Sequence, residues 1–148
     1  MEKQRKLLKE LSIVILVFAA LSLVRMIVDV CVHGFVVTEI IEGMSPEMLR
    51  AFAIVAWVLG LLFLLPEVYV GYKGVKVANN PDDSKRHITL AKILLVMLVI
   101  SLISSIIEIT KSTDLVHSII TIVDMVVDVA IYYLYIRCAK EIRNQSKQ

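Results

Sequence analysis

The stretch Leu115–Ile136, LVHSIITIVDMVVDVAIYYLYI, decides how the rest of the chain folds. It is about twenty residues of mostly apolar side chains, which is long enough to cross a bilayer as one helix. Asp124 and Asp128 nevertheless lie in its middle. At ~100° per residue, Thr121 and Tyr135 fall on the same helix face as both carboxylates. Because a carboxylate at the centre of a membrane helix costs on the order of 3 kcal/mol, this face is expected to point toward other protein, water or a cation.

The composition of the whole chain is that of a membrane protein. Of its 148 residues 58% are apolar, and the mean hydropathy is +0.80. The apolar residues fall into four blocks, at about 11–34, 50–72, 88–108 and 115–137. Each block is long enough to span the hydrocarbon core, where backbone groups must bond within a helix because water is absent. The sequence therefore predicts an all-α membrane protein with a single domain (1–148), folded as an antiparallel four-helix transmembrane bundle.

Basic residues mark the ends of these helices and predict their orientation. Twelve Lys and Arg residues flank the N-terminus, the loop between the second and third helices, and the C-terminus, whereas the two other loops carry only Arg50 and Lys111. Cytoplasmic loops of membrane proteins carry the excess of Lys and Arg. Both termini are therefore predicted to be cytoplasmic, in a multi-pass protein of an inner or plasma membrane. The basic clusters lack interleaved aromatic residues, which argues against a nucleic-acid partner.

Cysteine usage and motifs argue against most enzyme classes. Cys31 and Cys138 are predicted to lie on opposite sides of the membrane, and the chain has no C-x-x-C motif, so a thiol oxidoreductase is not indicated. H-E-x-x-H, G-x-S-x-G and P-loop motifs do not occur either. The sequence therefore predicts no catalytic residue.

The loop between the second and third helices carries a resemblance to other proteins. Gly71-Tyr72-Lys73-Gly74 is followed by Ala78-Asn79-Asn80-Pro81, then by a basic residue and a new apolar span. This arrangement resembles the central loop of small, uncharacterised bacterial four-span membrane proteins. The resemblance rests on turn residues and implies a bacterial inner membrane, with no activity attached to it.

Ionisable residues inside the membrane form the candidate functional site. Counted from the outer ends of their helices, Arg25 and Asp124 both lie about 15 Å deep, so a direct, bidentate ion pair between them is predicted. One arginine faces several carboxylates, and a buried carboxylate in excess must be protonated, hydrated or bound to a cation. The candidate ligand-binding or ion-binding residues are Arg25, Asp29, Glu67, Ser101, Ser105, Asp124 and Asp128.

Two histidines near the outer surface define a candidate metal site. His33 and His117 are predicted to lie at the mouth of the polar region, together with Glu108. Imidazole and carboxylate groups suit zinc or another divalent metal, which is the one cofactor that the sequence suggests. The alternative is that both histidines bond water and loop carbonyls.

The second helix combines a stripe of small residues with a proline. Ala56 and Gly60 have the small-xxx-small spacing that lets membrane helices approach closely, which suggests a homodimer through this surface. Pro66 is expected to kink the helix. Ser45 is predicted to cap its N-terminus, with Pro46 in the first turn.

Three classes of function stay open. The first is a protein that binds or transports a cation, a proton or a small polar ligand in an intramembrane acidic cavity. The second is a structural or partner protein that oligomerises or docks a larger complex through its polar and Ala/Gly faces. The third is a membrane metalloenzyme. We favour the first class, because purely structural polar contacts would be expected to balance their charges.

Overall fold

The computed structural model describes residues 2–34, 45–81, 85–109 and 115–145. The helices are α1 (Glu2–His33), α2 (Pro46–Asn79), α3 (Arg86–Ile109) and α4 (Leu115–Gln145), and the described residues contain no strand. All four helices are long and apolar enough to cross a membrane. The predicted all-helical architecture is thus confirmed, and the helices suggest a small multi-pass membrane protein in a lipid bilayer.

Each predicted span is the apolar part of a longer helix. The predicted first span begins at about residue 11, within a helix α1 that begins at Glu2, and the predicted fourth span ends near residue 137, within a helix α4 that continues to Gln145. These extensions are helical because they pack on each other. Leu8 is fully buried in the core, and Gln4 bonds both Glu141 and Gln145 across the α1–α4 interface. The bounds of the spans in a membrane stay a prediction.

Local signals define the ends of two helices. The predicted cap of α2 is confirmed, because the Met48 N–H donates to the Ser45 hydroxyl oxygen at 3.3 Å and Pro46 occupies the first turn. Helix α1 ends at His33 and is followed by Gly34. The φ of Gly34 is +68°, a left-handed conformation that favours glycine, and its N–H donates to the Val30 carbonyl. Helix α2 continues through Pro66, and the kink expected there stays a prediction.

The helices pack in a ring in which each contacts its two neighbours in sequence, with α4 closing onto α1. Gly71 of α2 lies against Leu16, and Gly60 lies against Met26, so α1 and α2 run in opposite directions. Their close approach is possible because a glycine offers no side chain. The contacts of Gln4 with the end of α4 require the same antiparallel relation for α1 and α4. This is the up-down-up-down arrangement expected for short connections.

Burial divides the bundle into two halves. All buried residues lie in the half formed by residues 2–19, 70–81, 85–94 and 132–145, which we call the closed half. The open half comprises residues 20–34, 45–69, 95–109 and 119–131, and no side chain described there is buried. The core therefore sits at the end of the bundle that contains the start of α1 and the end of α4.

Candidate functional site

A polar cavity opens between α1 and α4 where the closed half meets the open half. It has a volume of about 490 Å³, and we call it the groove cavity. Its lining consists of Phe18, Leu21, Ser22, Arg25, Asp124, Val127 and Asp128. Only two adjacent helices supply these residues, so the cavity lies in the crevice between them and not on the axis of the bundle.

The charged groups of the groove cavity come from the spacing of residues on two helices. Ser22 and Arg25 are three apart on α1, and Asp124 and Asp128 are four apart on α4, so each pair lies on one helix face. Arg25 and Asp124 are exposed, whereas Asp128 is half-buried. The structure thus brings together three of the ionisable residues that the sequence predicts as a site. The direct Arg25–Asp124 ion pair stays a prediction.

A second, smaller cavity lies behind the first, and we call it the central chamber. Its volume is about 70 Å³, and all four helices line it. The residues are Ile15, Phe18 and Ser22 from α1, Glu67 from α2, Leu98 from α3, and Asp128, Ile131 and Tyr132 from α4. Because every helix contributes, the chamber lies on the bundle axis.

The two cavities share a wall. Phe18, Ser22 and Asp128 line both, so the Asp128 carboxyl stands between the groove cavity and the central chamber. Within the chamber, Glu67 is close enough to interact electrostatically with Asp128, and Tyr132 with both carboxyls. Arg25, Asp124, Asp128 and Glu67 therefore form one polar column in which a single cationic side chain faces three carboxyl groups.

In the closed half, tightly packed side chains lie beneath the polar column and close it. The Tyr135 hydroxyl donates to the Val70 carbonyl at 2.9 Å, and its ring meets the buried His87 ring edge-on at a centroid distance of 6.2 Å. Ser12 is fully buried and donates to the Leu8 carbonyl at 2.6 Å. Since Tyr135 is 0% exposed, these groups close the bundle beneath the chamber.

Three predicted site residues lie elsewhere. Ser101 is exposed on α3, and the half-buried Ser105 donates to the Met125 sulfur at 3.5 Å. Asp29 is exposed on α1, one turn beyond Arg25. Among the described residues, the linings of the groove cavity and the central chamber do not include these three. Their predicted roles in ligand binding stay untested.

The candidate metal site lies outside the described side chains, since those of His33, Glu108 and His117 are not among them. Within the described part of the chain, no group of three His, Cys, Asp or Glu side chains is arranged to hold a metal ion. The divalent metal that the sequence suggests therefore stays a prediction.

The small residues of α2 serve contacts within the chain. A side chain added at Gly60 would lie 2.8 Å from the end of Met26, and one at Gly74 would lie 2.1 Å from the Ser12 hydroxyl oxygen. Ala56 is exposed and leaves its face of α2 uncovered. The homodimer through Ala56 and Gly60 stays a prediction, and for Gly60 the structure shows a use inside the monomer.

Two tyrosines have roles in the structure that sequence reasoning did not predict. It placed Tyr135 on the polar face with the carboxylates, whereas the structure uses this side chain to close the bundle through Val70. Tyr132 was not singled out, although it follows Asp128 by four residues and therefore lies next to it on one helix face. The four-residue spacing of Asp128 and Tyr132 could therefore have predicted a hydroxyl group beside the carboxyl group.

The chain was compared with protein-family models, with curated protein sequences and with solved structures, and nothing matches it in any of the three.

Proposed function

We propose that this chain is a small multi-pass membrane protein that binds a cation in the groove cavity between α1 and α4. The observation that carries the proposal is the shared lining of one cavity by Arg25, Asp124 and Asp128. Ionisable residues within apolar spans are expensive to keep there, so they are functional candidates by default. The excess of carboxyl groups over guanidinium favours a positively charged ligand.

The size of the groove cavity favours a ligand larger than a bare ion. A water molecule takes up about 30 Å³ of liquid, so a cavity of about 490 Å³ has room for a hydrated cation or for a small organic cation. The apolar side chains of Phe18, Leu21 and Val127 would contact the alkyl part of an organic cation. Asp124 and Asp128 would neutralise its charge.

Thermal unfolding of the detergent-purified protein tests this proposal. Rubidium, tetraethylammonium and spermidine serve as cation probes of increasing size. A probe that binds only the folded protein stabilises it by about 2.7 kcal/mol at a concentration of one hundred times Kd, so Tm should rise for at least one of them. An Asp124→Asn/Asp128→Asn variant should lose this rise in Tm.

The matched control is Glu10→Gln, which removes an exposed carboxylate of α1 that lies about 12 Å along the helix from Phe18, the nearest lining residue on α1. This variant should respond to the probes as the wild type does. A wild type that none of the three probes stabilises would contradict the proposal. An unchanged response of the double variant would also contradict it, since binding would then occur elsewhere.

The orientation and the membrane also belong to this proposal. The distribution of Lys and Arg favours cytoplasmic termini, which places the closed half toward the cytoplasm and the mouth of the open half toward the outside. The resemblance of the central loop favours a bacterial inner membrane. A ligand would then reach the groove cavity from the outer side.

A structural or partner role is the second candidate, and the uncovered side of α2 favours it. Ala56 is exposed between large apolar side chains that are exposed as well, including Phe52 and Leu59. If this surface joins two copies of the chain, light scattering should show a dimer for the wild type and a monomer for Ala56→Leu. A wild-type monomer would exclude homodimerisation through this face.

A further inference from the structure

We infer that the central chamber is a proton-binding site, in which Glu67 and Asp128 share one proton beside the hydroxyls of Ser22 and Tyr132. The inference deepens the proposed function, because Asp128 also lines the groove cavity in which the cation would bind. It assigns the proton as the ligand of the inner part of the same polar column.

The first argument is size. A volume of about 70 Å³ leaves room for about two water molecules. An organic cation of the kind that suits the groove cavity does not fit there. Calcium requires six to eight oxygen ligands, whereas a proton requires only two acceptors that face each other.

The second argument is charge. Glu67 of α2 and Asp128 of α4 approach each other closely enough to interact electrostatically. The other side chains that line the chamber are the hydroxyl-bearing Ser22 and Tyr132 and the apolar Ile15, Phe18, Leu98 and Ile131. In so small a space, the repulsion between two carboxylates favours the uptake of one proton. One proton shared by the pair removes the repulsion and leaves one negative charge.

The charged groups around the pair do not remove this need for a proton. Helix α1 brings Arg25 to the groove cavity, where Asp124 competes with Asp128 for its charge. Helix α3 contributes Leu98 to the chamber. On the other side, the Tyr135 hydroxyl is already committed to the Val70 carbonyl. Among the residues that line the chamber, the two carboxyl groups thus have no cationic partner.

The third argument is an independent observation on Tyr132. This side chain is only 5% exposed, yet it lines the chamber. Within the described part of the chain, its hydroxyl has no hydrogen-bond partner. The hydroxyl oxygen is not among the fully buried polar atoms without a partner, so it is open to the chamber. The Tyr132 hydroxyl is therefore placed to bond a water molecule or the shared carboxyl pair within the chamber.

The position of Asp128 provides the route for the proton. Because this carboxyl borders both cavities, a proton can pass between the chamber and the solvent of the groove cavity by rotation of one side chain. The packed residues Ser12, Val70 and Tyr135 close the opposite side. The site therefore exchanges protons through the groove cavity.

Infrared difference spectroscopy of the purified protein tests the inference. At neutral pH the wild type should show the carbonyl stretch of a protonated carboxylic acid, and the band should shift on transfer to heavy water because the groove cavity is open. Glu67→Gln and Asp128→Asn should each abolish the band, since the remaining carboxylate ionises alone. Glu10→Gln should retain it. A wild type without this band at neutral pH, or a band that survives in both variants, would overturn the proton site.

A second measurement does not depend on variants that fold. Dicyclohexylcarbodiimide reacts with protonated carboxyl groups in apolar surroundings, so mass spectrometry of the labelled wild type should locate the adduct at Glu67 or Asp128. Absence of an adduct at both positions would also overturn the site.

The experiments distinguish failure of the proton site from failure of the proposed cation binding. A cation-induced rise in Tm without the infrared band contradicts the proton site alone. The infrared band without any cation response contradicts the proposed cation binding alone.

Discussion

The closed half of this bundle carries the charged helix ends and all of the buried residues, whereas the open half is more apolar and has no buried side chain among those described. In the closed half, glycines and small polar groups let the helices meet, as where Gly74 faces Ser12 and Tyr135. In the open half, Arg25 and Asp124 line a cavity, and none of the described side chains is buried. The open half is the more apolar of the two by sequence, yet the buried residues all lie in the closed half.

The difference shows how a small membrane protein can combine stability with a polar site. Membrane helices associate through close packing and not through a hydrophobic driving force, so a compact interface at one end can hold the whole bundle together. The other end can then keep a cavity that Arg25, Asp124 and Asp128 line within otherwise apolar spans. Each half can be tested by a change that should have a large effect there and a small effect in the other half.

The largest expected contrast is in cysteine accessibility. Cys31 is exposed near the C-terminal end of α1, whereas Cys138 is buried in the closed half. A membrane-impermeant maleimide should label Cys31 in intact cells, because this end of the bundle is proposed to face outward. In the detergent-purified protein, Cys138 should stay unlabelled until denaturant opens the closed half, since its reaction requires local unfolding.

Two outcomes would contradict parts of this comparison. If Cys31 reacts only after the cells are permeabilised, the proposed orientation is reversed. If Cys138 reacts as fast as Cys31 in the folded, purified protein, the closed half is not closed. Cys31→Ser and Cys138→Ser variants assign each labelling rate to one residue.

The second contrast compares two glycines of α2. A methyl group added at Gly74 would lie 2.1 Å from the Ser12 hydroxyl oxygen and 2.6 Å from the Tyr135 ring, and both of these side chains are 0% exposed. Gly74→Ala should therefore lower the free energy of unfolding by about 1–3 kcal/mol, which is typical of overpacked cores. Denaturant titration of the purified protein measures this change.

Gly60→Ala is the matched control in the open half. The added methyl group would meet only the terminal methyl of Met26 at 2.8 Å, and that flexible side chain can turn away. Alanine also has the higher helix propensity, by about 1 kcal/mol. The stability of this variant should therefore change by less than that of Gly74→Ala. Equal losses at both positions would mean that the halves are packed alike.

The sequence predicted the four helices and the polar residues, but not the division into halves. Span length and apolar composition are local properties, so α1 to α4 could be recognised from them. The register of Arg25 with Asp124 followed from counting residues along two antiparallel helices, and both do line one cavity. The cap at Ser45 was equally local and was confirmed.

The central chamber could not be predicted, because local sequence patterns do not show how residues of different helices come together. Glu67 and Asp128 come from helices that are not neighbours in the chain, and their approach depends on how far α2 and α4 slide along each other. That shift is set by packing at Gly71, Gly74 and Tyr135, where space depends on the partner helix. A face of one helix can be predicted from periodicity, but the space between four helices cannot.

The smallest expected effect concerns the predicted ion pair between Arg25 and Asp124. Both side chains are exposed at the rim of the groove cavity, and a pair in contact with water contributes about 0.2–1 kcal/mol. A double-mutant cycle with Arg25→Leu and Asp124→Leu should therefore show a coupling energy in that range, and it should fall with added salt. Arg137 and Glu141 provide the reference, since their side chains form an exposed pair at 3.3 Å on α4. That pair should couple by about 0.3–0.5 kcal/mol.

The size of this coupling energy shows whether the groove cavity is sealed or in contact with water in a bilayer. A value of about 3–5 kcal/mol is characteristic of a buried pair that loses one partner, and would mean that α1 and α4 close over Arg25 and Asp124. The groove cavity would then be sealed, and the cation site proposed there would lose its access. Zero coupling would remove the ion pair but leave both side chains available to a ligand. A small, salt-sensitive coupling is the one result that agrees with an open half, because it requires the two charges to be near each other and still in contact with water.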